Sequence, residues 1–275
     1  MNKKPKALIL KADGINREEE MVFAFNIAGA DAKLVHINDL RSKNEKLGEF
    51  QILGIPGGFA YGDDVVAGKV LAVEMISYLG EELRKFVERS NTAIIGVCNG
   101  FQVLIRTGLV PFGNVGNMDA TLTNNDSGHF ECRWIRVKVE KGSKSNFLTG
   151  MENEIIWYPV AHGEGKFFAR PNVLSQIEKD NLVAFRYVDE KGLPTQKYPD
   201  NPNGSINAIV GISDETGRVL GLMPHPECFV RIEQHPNWRR EAVKKPARHA
   251  SQLAGVAGRP QGLPLFENIV DFVNQ

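Results

Sequence analysis

Up to about residue 110 the chain alternates short, continuous apolar runs with stretches whose apolar residues recur every three or four positions. Lys6 to Lys11 is such a run and suits a strand buried on both faces. A turn at Asp13-Gly14 follows, then Asn16 with Glu19 three residues on, the spacing of a capping box. Met21, Val22, Phe25 and Ala28 then repeat at helical intervals. Runs at 32–37, 51–55 and 93–97 predict three more strands, and Leu71, Met75, Leu79, Leu83 and Phe86 form one long helical stripe. Strands separated by helices predict a parallel sheet covered on both faces.

The second half is richer in strands. Residues 133–139 alternate polar and apolar, as a half-exposed strand should. Further strands are expected at 154–160, 166–170, 182–188, 208–212 and 219–223, with a turn-rich loop at 198–204. From 231 to 262 the pattern weakens into Pro, Gly and basic residues, which suggests a surface excursion before a closing helix at 265–273. The expectation is one α/β domain spanning 1–275, without internal repeats.

One strand end carries chemistry. Residues 93–97 run into Gly96-Val97-Cys98-Asn99-Gly100, and helix-forming Phe101 to Arg106 follows. This is a nucleophile elbow with cysteine in the serine position; its glycines permit a sharp turn, and the helix N-terminus favours thiolate. A cysteine ending an apolar strand can equally be a small buried hydrophobe. A second strand end reads Met223-Pro224-His225-Pro226-Glu227. In an extended segment His225 and Glu227 point the same way, and the flanking prolines stiffen the backbone. A base and its orienting carboxylate need that arrangement, although a solvated Pro-rich turn would read alike.

A third strand end, Ile55-Pro56-Gly57-Gly58-Phe59, offers backbone N–H groups at close approach. Attack on an amide carbonyl develops charge on oxygen, and the amides of Gly58 and Asn99 are candidates to receive it. A tight turn without ligand is the competing meaning. Neither dinucleotide nor P-loop spacing follows these strands.

The totals narrow the setting. Lys plus Arg and Asp plus Glu both number 33, so nothing points to a nucleic-acid or anionic-membrane surface. No apolar stretch approaches a membrane span, and the run after Met1 is too short for a secretory leader. Cys98, Cys132 and Cys228 are odd in number and far apart, which fits neither a disulfide framework nor a zinc site. A soluble cytoplasmic protein is expected, with no metal.

Together the three strand ends resemble the triad glutamine amidotransferases. Five ordered segments are similar, more narrowly, to the glutaminase subunits of phosphoribosylformylglycinamidine synthases: residues 56–63, 96–100, 161–165 (Ala-His-Gly-Glu-Gly), 198–205 and 223–227. The resemblance spans most of residues 5–230, and the chain has the look of the separate-subunit form. It implies a flavodoxin-like three-layer sandwich with a mostly parallel central sheet. It also implies glutamine hydrolysis through a cysteinyl thioester, and ammonia delivery to an ATP-dependent synthetase subunit in purine synthesis. By position it makes Cys98 the nucleophile, His225 the base and Glu227 its orienter, with Gly58 and Asn99 as oxyanion donors. Gln102, Gly57, His162 and Gly163 match substrate-binding positions, and for His162 a structural role is an equal alternative.

The resemblance assigns no cofactor to this chain; ATP and magnesium would belong to the partner, and a third small subunit could bridge the complex. Residues 124–133 also resemble a family segment, with packing or interface as the expected role. Lys244, Lys245, Arg248 and Arg259 could touch the partner or be solvated. Two rival functions remain: a free-standing γ-glutamyl hydrolase or amidase on the same fold, and an inactive glutamine-sensing module.

Overall fold

The computed structural model describes residues 4–240 and 260–275. Nine strands form one sheet. Four of them lie in the first half: β1 (Lys6–Lys11), β2 (Asp31–His36), β3 (Ile52–Ile55) and β4 (Ala93–Val97). They are linked by helices α1 (Glu18–Ile27), α2 (Ile37–Arg41) and α3 (Lys69–Glu88), and α4 (Asn99–Thr107) leaves β4. The second half contributes β5 (Ala120–Thr123), β6 (Glu131–Val139), β7 (Ile155–His162), β8 (Lys166–Ala169), α5 (Pro171–Lys179), β9 (Val183–Tyr187), β10 (Ile209–Ser213), β11 (Val219–Leu222) and α6 (Leu263–Val273).

The sheet order is β2-β1-β3-β4-β11-β10-β9-β6-β7, and β5 pairs with β8 in a separate ribbon. Strands β2, β1, β3, β4 and β11 are mutually parallel; β10, β9, β6 and β7 extend the sheet in antiparallel fashion. The parallel part is buried throughout β3 and β4, which is why those segments read as unbroken apolar runs. The chain steps outward from β1 to β2 and back inward from β3 to β4. Right-handed crossovers therefore put α1 and α3 on opposite faces, giving three layers. Helix α6 joins α1, and α4 joins α3. Replacing a fully buried side chain of this core, such as Ile95 or Leu104, by alanine is expected to cost about 2–5 kcal/mol.

This topology sets the site. The last pair of the β4–β11 register is Val97 with Leu222, and the Cys98 amide donates to the Leu222 carbonyl at 2.8 Å. Residues 98 and 223 onward therefore emerge side by side at the carboxyl edge of the parallel strands, the usual location of sites in such sheets.

Some expectations need correcting. Helix α1 begins at Glu18 with Arg17 as N-cap and no side-chain cap, so Asn16 and Glu19 do not form a capping box. The elements β5, α2 and α5 carried no clear signal. Strand β5 is four residues long, α2 is little more than one turn, and α5 is a nine-residue helix whose short stripe of Val173, Leu174 and Ile177 fully buries only Ile177. Of the expected excursion at 231–262, residues 231–240, which include a 3₁₀ turn at Ile232–Gln234, and residues 260–262 are described, while residues 241–259, with Lys244, Lys245, Arg248 and Arg259, lie outside the described residues. Gln261 and Gly262 pack inward: Gln261 accepts from the Trp157 amide and the Tyr158 hydroxyl, and the Gly262 amide donates to the Phe229 carbonyl.

Candidate active site

Cys98 sits between β4 and α4 with φ 53° and ψ −108°, a backbone conformation that L-residues avoid. The strain of the elbow thus falls on the cysteine itself. The flanking glycines serve close approach instead: a Cβ on Gly100 would lie 1.9 Å from the Ile55 carbonyl oxygen, and one on Gly96 would lie 2.5 Å from the Gly100 oxygen. Helix α4 can press against β3 and β4 only because both positions lack a side chain. Cys98 is 5% exposed, and its thiol donates to the Ala161 carbonyl at 3.5 Å.

His225 follows β11, and its amide is fixed by the Pro159 carbonyl at 2.9 Å. Its Nδ1 hydrogen-bonds the Glu227 Oε1 at 2.6 Å. The intervening backbone is not extended. Pro226 opens a 3₁₀ turn over Pro226–Phe229, which folds the fully buried Glu227 back onto the ring. With Nδ1 engaged, Nε2 is left to address Cys98. It has no partner of good hydrogen-bond geometry among the described residues, in keeping with a thiol proton held on Ala161. Burial alone would pull the imidazole towards neutrality, but the Glu227 carboxylate and the Cys98 side chain outweigh it and raise its pKa to about 10.

Gly57 lies directly against this pair, since a Cβ there would meet His225 Cε1 at 2.7 Å and Cys98 Cβ at 3.4 Å. Gly58 continues the turn. Asn99, one residue past the cysteine, opens α4, where the first amides have no intrahelical acceptor. Its buried side chain is a hub: Oδ1 accepts from the Ala60 amide at 3.3 Å, while Nδ2 donates to Asp63 at 3.0 Å and to Gln102 Oε1 at 2.9 Å. Burial, only partly offset by the Gly68 amide and Asn99, holds the Asp63 carboxyl above its ordinary value.

Gln102 spends its other end on the Glu164 carbonyl at 2.6 Å, tying α4 to the 162–165 turn, yet each end of its carboxamide retains capacity for one more bond. His162 and Gly163 lie in that turn, which Asn125 organises. Asn125 Nδ2 donates to the His129 and His162 carbonyls, so its Oδ1 is the acceptor for the Gly165 amide and for His162 Nδ1, each at 3.0 Å. Burial, with a smaller contribution from His225, pulls the His162 pKa down to about 3. The ring is therefore neutral, Nδ1 carries its proton, and the buried Nε2 is a bare acceptor. Asn125 was legible only as part of a segment without chemistry, because nothing local reveals a bond to a residue 37 positions away.

His225, Glu227 and Cys228 place donor atoms within 4.8 Å of one another. They make a poor metal cradle, because Nδ1 and Oε1 are engaged with each other while burial and Glu227 push the Cys228 thiol up, keeping it protonated.

A nucleophile elbow facing a His–Glu pair at one sheet edge defines the class of triad glutamine amidotransferases. Residues 4–273 match the family described as CobB/CobQ-like glutamine amidotransferase domain, and the chain belongs to it. Among curated relatives, the phosphoribosylformylglycinamidine synthase subunit PurQ of Dehalococcoides mccartyi is 43% identical, covering 99% of both chains. PurQ of Methanococcus maripaludis is 36% identical over 98% of both. A structure of PurLQS from Thermotoga maritima matches at 27% identity and TM-score 0.70, covering 98% of this chain and 99% of that one. A glutamine amidotransferase from Thermotoga maritima, 16% identical with TM-score 0.53 and full coverage of both chains, shares the fold. Among the described residues no helix is long and apolar enough to cross a membrane.

Proposed function

We propose that this chain is the glutaminase subunit of a phosphoribosylformylglycinamidine synthase, working in the cytoplasm. It hydrolyses glutamine and passes ammonia to an ATP-dependent synthetase subunit, which binds the nucleotide and magnesium; a small third subunit fits the same scheme. The observation that carries this reading is the convergence of Cys98 with the His225–Glu227 pair at the ends of neighbouring parallel strands, 2.6 Å separating imidazole and carboxylate.

In the proposed cycle His225 Nε2 takes the thiol proton and Cys98 Sγ attacks the side-chain amide carbon of glutamine. Charge on the amide oxygen is received by the Gly58 and Asn99 amides. His225 returns its proton to the leaving nitrogen, ammonia departs, and a γ-glutamyl thioester remains. Water activated by the same imidazole then releases glutamate. Glu227 holds the ring and stabilises its charged form. Gly57 gives the substrate room beside Cys98. The 162–165 turn lines the side facing the α-amino and carboxylate groups, where the bare Nε2 of His162 suits an ammonium donor and the Gly163 amide an acceptor. Gln102 supports that turn.

The relatives' standing as synthase subunits favours coupled over free-standing hydrolysis. Two measurements test the reading. A γ-electrophilic glutamine analogue should label Cys98 and leave Cys98→Ser unlabelled. Glutamine labelled with nitrogen-15 in its amide should transfer that label to the amidine product when the synthetase subunit is present. Full-rate turnover by the isolated chain would sink the coupling.

A further inference from the structure

The turn between β1 and α1 touches the Gly57–Gly58 loop on one side and the base turn on the other. Four backbone hydrogen bonds zip residues 13–17 to residues 57–61. The Asp13 carbonyl accepts from the Tyr61 amide at 2.7 Å, the Gly14 carbonyl accepts from the Phe59 amide at 2.8 Å, and the Gly57 carbonyl accepts from the amides of Asn16 and Arg17 at 3.3 Å each. Ile15 and Gly58 form an antiparallel bridge at the centre. The two segments touch at van der Waals limits: a Cβ on Gly14 would lie 2.0 Å from the Phe59 carbonyl oxygen, and one on Gly58 would lie 2.7 Å from the Asn16 nitrogen.

Peptide planarity gives this zip a consequence. The Gly57 carbonyl and the Gly58 N–H belong to one trans plane and point in opposite directions. Two donors hold that carbonyl towards residues 16 and 17, so the Gly58 N–H is turned away from them. Gly57, on the near side of that plane, rests against Cys98 and His225. The other flank of the loop is tied by Asn99 Oδ1 to the Ala60 amide. Helix α1 also packs against the Pro226–Phe229 turn that carries Glu227, so it lies beside both halves of the site.

We infer that residues 13–17 are a positioning clip for the oxyanion donor, with the Asn16 and Arg17 amides fixing the plane of the Gly57–Gly58 peptide. This role presupposes the thioester chemistry proposed above. It concerns only the steps in which an oxyanion forms, and it acts through Gly58 without touching substrate.

The test uses the complex reconstituted with its synthetase subunit. Gly14→Ala wedges a methyl between the two backbones. Glutamine hydrolysis should lose about 10- to 100-fold in kcat, the range of a misplaced oxyanion donor, with KM for glutamine within about twofold of the wild type. Alkylation of Cys98 by iodoacetamide, read by peptide mass spectrometry, is a displacement at saturated carbon in which no oxyanion develops, so its rate should stay unchanged. Gly29→Ala is the control, because Gly29 also has positive φ, 103°, yet its Cβ would meet only Val270 Cγ1 at 3.9 Å; its kcat should match the wild type. If Gly14→Ala does not fold, replacing Arg17 by its α-hydroxy acid analogue deletes one N–H without changing shape and should lower kcat in the same selective way. Unchanged kcat, or alkylation falling in parallel with kcat, overturns the clip alone. No glutamine hydrolysis by the wild-type complex overturns the functional reading and the clip together.

Discussion

Asn99 Oδ1 accepts a hydrogen bond from the Ala60 amide at 3.3 Å, so the residue that follows the nucleophile also holds the loop carrying the second proposed oxyanion donor. Its backbone and its side chain therefore serve the same purpose from two directions. Asn99→Ala keeps the backbone amide but strands Ala60, Asp63 and Gln102. The expected cost is about 1–3 kcal/mol of stability, together with at least a tenfold loss of kcat. Denaturant unfolding and glutamine hydrolysis measure the two; a variant with wild-type kcat would show that the loop does not depend on this tie.

Cys98 holds a backbone conformation suited to glycine. Alanine ordinarily stabilises a site relative to glycine, but here the order should invert. Cys98→Gly relieves strain worth about 1–3 kcal/mol, whereas Cys98→Ala retains it. Both lose activity. Unfolding free energies that rank alanine above glycine would mean that the strain is absent in solution.

The His225–Glu227 pair gives stability a pH dependence of defined sign. The folded pKa of about 10 lies above the ordinary 6.5, so the contribution is fully present below about 6.5 and fades as pH rises towards 10. Glu227→Gln removes the carboxylate that raises it. The variant should be less stable at pH 6.5, by about 3–5 kcal/mol for a broken buried pair, and should converge on the wild type as pH approaches 10. Its kcat should fall about 10²–10⁴-fold. Parallel curves of unfolding midpoint against pH would refute the assignment.

Gly100 lies in the first turn of α4, where helix propensity alone makes Gly100→Ala stabilising by about 1 kcal/mol. The 1.9 Å approach to the Ile55 carbonyl decides the other way, because neither backbone can yield without parting α4 from β3. A destabilisation above about 3 kcal/mol is expected. A neutral or stabilising result in denaturant unfolding would contradict this packing.

The inner parallel strands β1, β3, β4 and β11 were legible because they are buried on both faces and therefore apolar, whereas the edge strand β2 is largely exposed and mixes polar with apolar residues. Segment 93–97 was placed to the residue, and β1 likewise. The convergence of Cys98, His225 and Glu227 was anticipated from two strand ends, although the means differed. Glu227 reaches His225 through a 3₁₀ turn, and the strain of the elbow rests on Cys98 while its glycines serve contact. Asn125, Asn99 as a hub and the 13–17 clip were out of reach, since each acts through bonds between residues 36 to 48 positions apart, or through backbone groups that every residue possesses. Asn16 shows the difficulty well. Its local spacing suggested a helix cap, whereas its amide serves the distant Gly57.

The pairing of β4 with β11 joins segments more than a hundred residues apart. A chain released from the ribosome before β11 has the thiol but lacks His225 to draw off its proton, and a chain truncated anywhere between β4 and β11 is left in the same condition. The reactive sulfur thus gains its base only once β11 has been made and has docked beside β4.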